Sequence, residues 1–157
     1  MNRKSIITLV ICLLIPLAVG FLSGMVTAEY VPTWYQTLSK PSFTPPAWVF
    51  SPVWTLLYIL MGISLFIVWK SPKDDRRNWA LNVFSIQLGL NFSWTFIFFF
   101  MHLIGFAFAE LIILWFAAIG MTFLFFRVNR LAGILQIPYL LWLFFASILN
   151  GAIWVLN

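Results

Sequence analysis

The sequence predicts an all-α integral membrane protein, a single domain over residues 1–157 that crosses the bilayer as five helices. Hydrophobic residues make up 63% of the chain and charged residues only 8%, whereas soluble domains average roughly 45–50% and about 25%. Five separate apolar runs are each long enough to cross a bilayer, which takes about 20 residues per helix. A water-soluble core cannot absorb so many apolar side chains, so lipid is the expected solvent.

The first apolar run, at 5–26, is predicted to be the first transmembrane helix. It follows Arg3 and Lys4, and positive charge ahead of an apolar run is also typical of a secretory signal. Its length of about 22 residues instead suits a helix that spans the bilayer. Gly20 and Gly24 form a small-xxx-small pair, which would let another helix approach closely.

Four further helices are predicted after a long outer loop at 27–46. Thr44 suits an N-cap and Pro45 suits the first helical position, so the second helix is predicted to begin there. Pro16, Pro52 and Pro138 lie in or beside apolar runs and are expected to bend their helices. The four helices are expected at 47–69, 79–100, 106–126 and 131–155.

The distribution of basic residues predicts the orientation of the bundle. Cytoplasmic segments of membrane proteins are rich in lysine and arginine. With the N-terminus in the cytoplasm and the C-terminus on the opposite side, the outer segments hold only Lys40. The cytoplasmic segments then hold Arg3, Lys4, Lys70, Lys73, Arg76, Arg77, Arg127 and Arg130.

Several function classes lack the residues that they need. The formal charge of +5 does not indicate a nucleic-acid partner, because the apolar runs leave no solvated basic face. Cys12 is the single cysteine, and His102 has no second ligand at a suitable spacing, so neither a metal site nor a required cofactor is predicted. Conventional catalytic sets, such as paired carboxylates or a glycine-rich phosphate loop, are missing too.

Aromatic and polar side chains recur at helical spacing on three of the predicted helices. Amides at membrane depth need hydrogen-bond partners in protein or water, so these faces should point inward and line an aromatic pocket. The faces comprise Phe50, Trp54 and Tyr58 on the second helix, Gln87, Asn91 and Trp94 on the third, and Tyr139, Trp142, Ala146 and Asn150 on the fifth.

A simpler interpretation exists for some of these residues. Gln87, Asn91 and Asn150 would also serve only to bond neighbouring helices, at roughly 0.6 kcal/mol each. Glu110 is the one acidic residue within a predicted helix and is either a functional group or a structural carboxyl near the helix end. Tryptophans near the ends of the predicted helices fit interfacial belts; these are Trp34, Trp48, Trp69 and Trp79.

Motifs in a fixed order give the chain a resemblance to a known family. They are WY at 34–35, KPSFTPP at 40–46, FSPVWTLLY at 50–58, then Gln87, Asn91 and Trp94, and finally Pro138, Tyr139, Trp142, Phe145, Ala146, Leu149, Asn150 and Trp154. From residue 34 onward the chain resembles the TspO/translocator protein (TspO/MBR) family. Its members are the tryptophan-rich sensory proteins, once called peripheral-type benzodiazepine receptors.

The resemblance implies a five-helix bundle, a homodimer, that binds porphyrins such as protoporphyrin IX in a cavity near the first loop. It implies Trp34 and Pro46 as further ligand-binding residues, and Ala146 as a small residue against the ligand. Trp54 and Trp142 resemble the tryptophans implicated in light- and oxygen-dependent porphyrin breakdown. Sterol binding by the last helix is not expected, because no basic residue follows Arg130.

The expected function is porphyrin binding in a tryptophan-lined cavity, with a role in tetrapyrrole regulation or stress sensing. Alternatives are a porphyrin-degrading enzyme that uses Trp54 and Trp142, a transporter of amphipathic molecules, and a scaffold whose partner docks on residues 70–77. Expected partners are a tetrapyrrole or another apolar small molecule, membrane lipid and a second copy of the chain, but not nucleic acid. The expected location is a prokaryotic cytoplasmic membrane.

Overall fold

Five helices long and apolar enough to cross a membrane are present in the computed structural model, which describes residues 2–157. The predicted all-helical membrane bundle is therefore confirmed. The direction in which the bundle is inserted stays a prediction. The outward surface carries large apolar side chains that water would not tolerate in such numbers, for example Phe21, Phe106 and Phe123, which are 70%, 72% and 59% exposed.

Over residues 2–157, seven α-helices build the bundle, two of them short. A π-helical turn, Phe96–Phe100, continues the fourth. Polar side chains cap three of the N-termini: Asn2 accepts from the Ser5 N–H, Asp74 from Arg77, and Asn129 from Leu131. The helices are α1 (Arg3–Tyr30), α2 (Trp34–Thr37), α3 (Ala47–Lys70), α4 (Asp75–Thr95), α5 (Ile104–Val128), α6 (Arg130–Ile134) and α7 (Ile137–Leu156).

Three predicted boundaries need correction. The first helix extends to Tyr30, so the outer loop is shorter than expected and contains α2. The helix predicted from residue 79 begins at Asp75, because the Asp74 cap allows it to start within the charged segment. The helix predicted at 131–155 is broken between α6 and α7, just before Pro138, where a proline-linked bend was expected.

The second transmembrane helix begins within its predicted bounds of 47–69, but the predicted cap at Thr44 and Pro45 was wrong. Pro46 is the N-cap residue, and α3 begins at Ala47. Thr44 does not cap the helix, because its hydroxyl donates to the carbonyl of Pro41 at 2.7 Å. Pro16 and Pro52 lie inside α1 and α3, which continue through them.

Glycines set the distance between α1 and α3, which pack against each other along the bundle. A Cβ atom on Gly62 would lie 2.8 Å from the Cα of Leu13, so this is the tightest backbone contact of the pair. Gly20 lies against the ring of Tyr58, as the small-residue pair predicted. A Cβ atom on Gly24 would meet nothing within 4 Å, so the helix contact predicted for this residue is not formed within the chain, and open space lies there instead.

Candidate functional site

A cavity of about 750 Å³ lies between the outer halves of α1, α3, α4 and α7. Its volume falls within the range of about 300–1,000 Å³ that is usual for small-molecule sites. Residues from the segment that follows α1, including Val31 and Tyr35, complete the wall. The cavity therefore lies beneath the outer loop, where the sequence analysis expected a binding site.

Aromatic rings of α3 and α7 contact one another and form one wall of the cavity. The rings of Trp54 and Trp142 are perpendicular, with centroids 6.4 Å apart. Phe50 meets Trp142 edge-to-face at 5.8 Å, and Tyr58 stacks on Trp54 at 5.6 Å. Ala146 lies one helical turn beyond Trp142 and also lines the cavity, so this wall is apolar and offers ring faces to a planar ligand.

The wall formed by α4 is held rigid by its polar contacts. The indole N–H of Trp94 donates to Oδ1 of Asn150 at 3.1 Å, and Asn150 donates through Nδ2 to the carbonyl of Ile104 at 3.1 Å. Trp94 also stacks on Phe98, with centroids 5.3 Å apart. Asn150 thus bonds α4 to the start of α5, as the helix-bonding interpretation predicted, while it still lines the cavity.

A buried chain of hydrogen bonds runs from the cavity into the core. The hydroxyl of Tyr58 donates to Oδ1 of Asn91 at 2.6 Å, and Asn91 donates to the Tyr139 hydroxyl at 3.2 Å. The Tyr139 hydroxyl in turn donates to Oε1 of Gln87 at 2.8 Å. Tyr58 and Asn91 line the cavity, whereas Tyr139 and Gln87 are 1% and 0% exposed and bond helices together behind it.

Two polar atoms at the cavity wall have no hydrogen-bond partner. They are the indole Nε1 of Trp142 and the hydroxyl oxygen of Ser23, both buried. Buried polar atoms are nearly always paired in native proteins. The ring of Trp142 lines the cavity while its Nε1 is covered, so a ligand reaches this donor only after the indole turns.

The outer loop is fastened over the cavity as a lid, which we define as residues 31–46. The ring of Trp34 stacks on His102 at 4.1 Å and 15°. Lys40 folds back and donates through Nζ to the carbonyls of Tyr35 and Leu38 at 2.8 and 3.0 Å. Tyr35 is only 8% exposed, and this burial raises the pKa of its phenol, so the lid packs on the bundle with a neutral side chain.

The structure brings eight of the twelve candidate ligand-binding residues to the cavity wall. Four lie elsewhere: Gln87 and Tyr139 are behind the wall, Trp34 is in the lid, and Pro46 is exposed at the start of α3. Glu110 also lies away from the cavity and accepts a hydrogen bond from Ser93 at 2.7 Å. The eight wall residues are Phe50, Trp54, Tyr58, Asn91, Trp94, Trp142, Ala146 and Asn150.

The contribution of α1 to the cavity was not predicted from the sequence. Gly20, Gly24 and Ala28 recur at every fourth position and line the wall beside Leu17 and Phe21. Small residues on one helical face signal close approach either of another helix or of a ligand. Because these residues were interpreted only as a contact between helices, this wall of the cavity was not predicted.

The fold and the cavity define a class: five-helix integral membrane proteins with an aromatic-walled internal cavity under a loop. Residues 12–155 match the model of the TspO/MBR family. The chain belongs to this family.

Relatives of the chain match it over most of their length. It is 44% identical over 154 residues to a protein named tryptophan-rich protein TspO from Archaeoglobus fulgidus, which covers 98% of this chain and 99% of the relative. It is 39% identical over 156 residues to the protein of the same name from Chlorobaculum tepidum, with 99% of each covered. It is 39% identical over 123 residues to the human translocator protein, covering 77% of this chain and 73% of the relative.

Proposed function

We propose that the protein binds a porphyrin-like tetrapyrrole in the cavity under the lid and takes part in tetrapyrrole regulation or stress sensing. The observation that carries this proposal is the edge-to-face pair of Trp54 and Trp142 on the wall of a cavity of about 750 Å³. A flat, apolar macrocycle buries a large area against such rings and gains stacking energy in addition. Neighbouring polar atoms then select its orientation.

Polar groups around the cavity suit the edge of such a ligand. The unpartnered N–H of Trp142 would donate to a carboxylate or carbonyl oxygen on the ligand once the indole turns toward the cavity. The hydroxyl of Tyr58 and the amide of Asn91 lie farther toward the core and already bond each other. The ligand would therefore place its apolar face against the indoles and direct one polar group toward Trp142.

Binding is tested by titrating the purified protein with protoporphyrin IX in the dark and following the quenching of tryptophan fluorescence. Trp54→Phe and Trp142→Phe should each weaken binding by about two- to tenfold, the value of an aromatic stacking contact. Trp79→Phe is the matched control, because Trp79 is 63% exposed and lies outside the cavity. Equal affinities for all four proteins, or equal affinity for a non-planar apolar ligand of similar size, would overturn the proposal.

A second candidate function is light- and oxygen-dependent degradation of the bound porphyrin. The proximity of Trp54 and Trp142 favours it, because an excited macrocycle against this wall would lie beside two oxidisable indoles. This candidate requires that degradation give one defined product. It also requires that Trp142→Phe reduce the rate of porphyrin conversion more than it reduces the affinity for porphyrin. Mixed products, formed equally fast in protein-free micelles under the same light, would leave binding as the function.

We place the protein in a prokaryotic cytoplasmic membrane with the basic end of the bundle inside the cell. The charge distribution supports this orientation, and relatives from an archaeon and a bacterium support a prokaryotic host. In a Cys12→Ser background, cysteines at Ser71 and at Ser39 test the orientation through labelling by an impermeant maleimide on intact cells. The proposal requires labelling at position 39 and not at position 71, and the reverse pattern would overturn it.

A further inference from the structure

A second concavity of about 610 Å³ lies on the outside of the bundle, and we call it the α1–α4 groove. On α1 it extends from Thr8 to Leu22, which at 1.5 Å per residue is about 21 Å. On α4 it extends from Leu81 to Phe92, and it shares no lining residue with the tetrapyrrole cavity. The groove is therefore longer than half the thickness of the hydrocarbon core, and this half is roughly 15 Å.

The interior of the α1–α4 groove is suited to a hydrocarbon chain. Buried apolar side chains, including Phe84 and Leu88, form its floor. Its two hydroxyls are already satisfied, because Thr8 donates to the carbonyl of Lys4 and Ser85 donates to that of Leu81. Gly89 has nothing within 4 Å of where a Cβ would lie, so the groove is open at its middle.

Positive charge is concentrated at one end of the groove. Trp69 lines this end, and the guanidinium of Arg77 lies 5.1 Å from its ring while donating to its carbonyl at 3.2 and 3.0 Å. Lys70 donates to the hydroxyl of Ser5 at 3.2 Å. Both cations contact neutral oxygens, so neither charge is neutralised. Lys70 is exposed and open to an anion, whereas Arg77 is 6% exposed and contributes through its positive potential.

Exposed basic residues extend this positive surface. Lys4 lies in the first turn of α1, one helical turn before Thr8 of the groove, and Lys73 and Arg76 lie in or beside the start of α4. Basic pockets beside transmembrane helices are typical binding sites for anionic lipid headgroups. The groove and the basic end therefore fit two parts of one molecule.

We propose that the α1–α4 groove binds one anionic phospholipid, with an acyl chain along the groove and the phosphate at the basic end. The charge at the groove end favours this occupant over a neutral lipid. A second copy of this chain would place its own basic end beside this one, and the two ends would repel each other. The charge therefore also favours an anionic lipid over a second copy as the occupant. The site does not depend on tetrapyrrole binding, because the two concavities share no residue.

The first test is native mass spectrometry of the full chain released from bilayers that hold equal amounts of phosphatidylglycerol and phosphatidylcholine. The wild-type protein should retain one phosphatidylglycerol. Lys4→Gln together with Lys70→Gln should reduce the preference for phosphatidylglycerol over phosphatidylcholine about fivefold or more. Lys40→Gln, at the other end of the bundle, is the charge-matched control and should leave the preference unchanged.

Gly89→Leu should fill the middle of the groove and abolish retention of the lipid. Gly24→Leu is its matched control, since Gly24 also has open space beside it but lines the other concavity. Vesicles of brominated phosphatidylglycerol provide a second test that needs no change in the groove. Their bromine should quench the Trp69 emission, which is measured as the difference between wild type and Trp69→Phe, more than brominated phosphatidylcholine does.

Three results would overturn the proposal. The first is equal retention of both lipids by the wild type. The second is retention that Gly89→Leu does not change. The third is a dimer that Gly89→Leu dissociates, which would place a second copy of the chain in the groove.

Discussion

Ser39 and Asn157 are joined by two hydrogen bonds. Oδ1 of Asn157 accepts from the Ser39 N–H at 2.9 Å, and Nδ2 of Asn157 donates to the Ser39 carbonyl at 2.9 Å. The residue that follows α7 thus fastens the middle of the lid by the backbone of Ser39, independently of the Ser39 side chain. The contact joins positions 118 residues apart, so the lid is closed by the end of the last helix.

Asn157→Ala should therefore release the lid without unfolding the bundle. Each exposed hydrogen bond is worth about 0.5–1.5 kcal/mol at most, so we expect amide exchange at residues 36–42 to accelerate about fivefold. Hydrogen exchange read by mass spectrometry measures this change. Ser39→Ala is the control and should exchange like the wild type, because the bonds use its backbone, and a lid loosened equally by both variants would contradict the assignment.

The stacking of Trp34 on His102 is the second fastening of the lid. His102 is held at φ 58°, a conformation that asparagine adopts more readily than most residues. His102→Asn should therefore keep the turn and lose only the stacked ring. Amide hydrogen exchange in the lid should then accelerate, while the unfolding temperature changes little. A double-mutant cycle with Trp34→Leu should give a coupling of about 0.5–1.5 kcal/mol. Additive effects of the two substitutions would show that the rings do not stack in solution.

Gly62→Ala and Gly24→Ala should differ sharply in their effect on stability, although both residues lie in transmembrane helices. At Gly62 the new methyl would meet the backbone of Leu13 and Cys12, which cannot move aside, so overpacking should cost about 1–3 kcal/mol. At Gly24 the methyl enters open space and should cost nothing measurable. Unfolding by denaturing detergent compares the two, and equal stabilities would mean that α1 and α3 are farther apart than described.

The helical bundle was predictable because the bilayer imposes it: each crossing needs a long apolar run, and such runs are visible in the sequence. Pro138 predicted a bend in the last helix, but not a full break at Leu135 and Gln136, which interrupt the helix inside a run that reads as continuous. Helix ends near Asp74 and Thr44 depended on which polar side chain reaches which backbone group. Hydropathy carries no information about that choice.

The candidate site was partly predictable for a similar reason. Helical spacing places Gln87 and Asn91 on one face, but it does not determine where along that face the cavity ends. Asn91 reaches the cavity, while Gln87, one turn deeper, is covered by Tyr139. The wall formed by α1 depends on how far α1 and α3 separate beyond Gly20, which is a property of packing and not of either helix alone.

Tyr139→Phe should destabilise the bundle while leaving the cavity intact. The Tyr139 hydroxyl accepts from Asn91 and donates to Gln87, so its removal deprives two buried amides of a partner. We expect a loss of about 1–2 kcal/mol, above the average of about 0.6 kcal/mol for a single interhelical hydrogen bond. Thermal unfolding measures the loss, and an unchanged ligand affinity would agree with the position of Tyr139 behind the wall.

Gln136→Met should stabilise the bundle, in contrast to the destabilisation expected for Tyr139→Phe. Gln136 is 0% exposed and neither its amide nitrogen nor its amide oxygen has a partner, so an apolar side chain of similar size removes an unmet desolvation cost. We expect a stabilisation of about 1 kcal/mol in thermal unfolding.

Gln87→Met makes the same chemical change at an equally buried position and is the matched control. It should destabilise, because Oε1 of Gln87 accepts from Tyr139. Nε2 of Gln87 has no partner either, so the sign of the two effects separates an amide whose oxygen is bonded from one in which neither atom is. Equal destabilisation by both would mean that water bonds Gln136 inside the bundle.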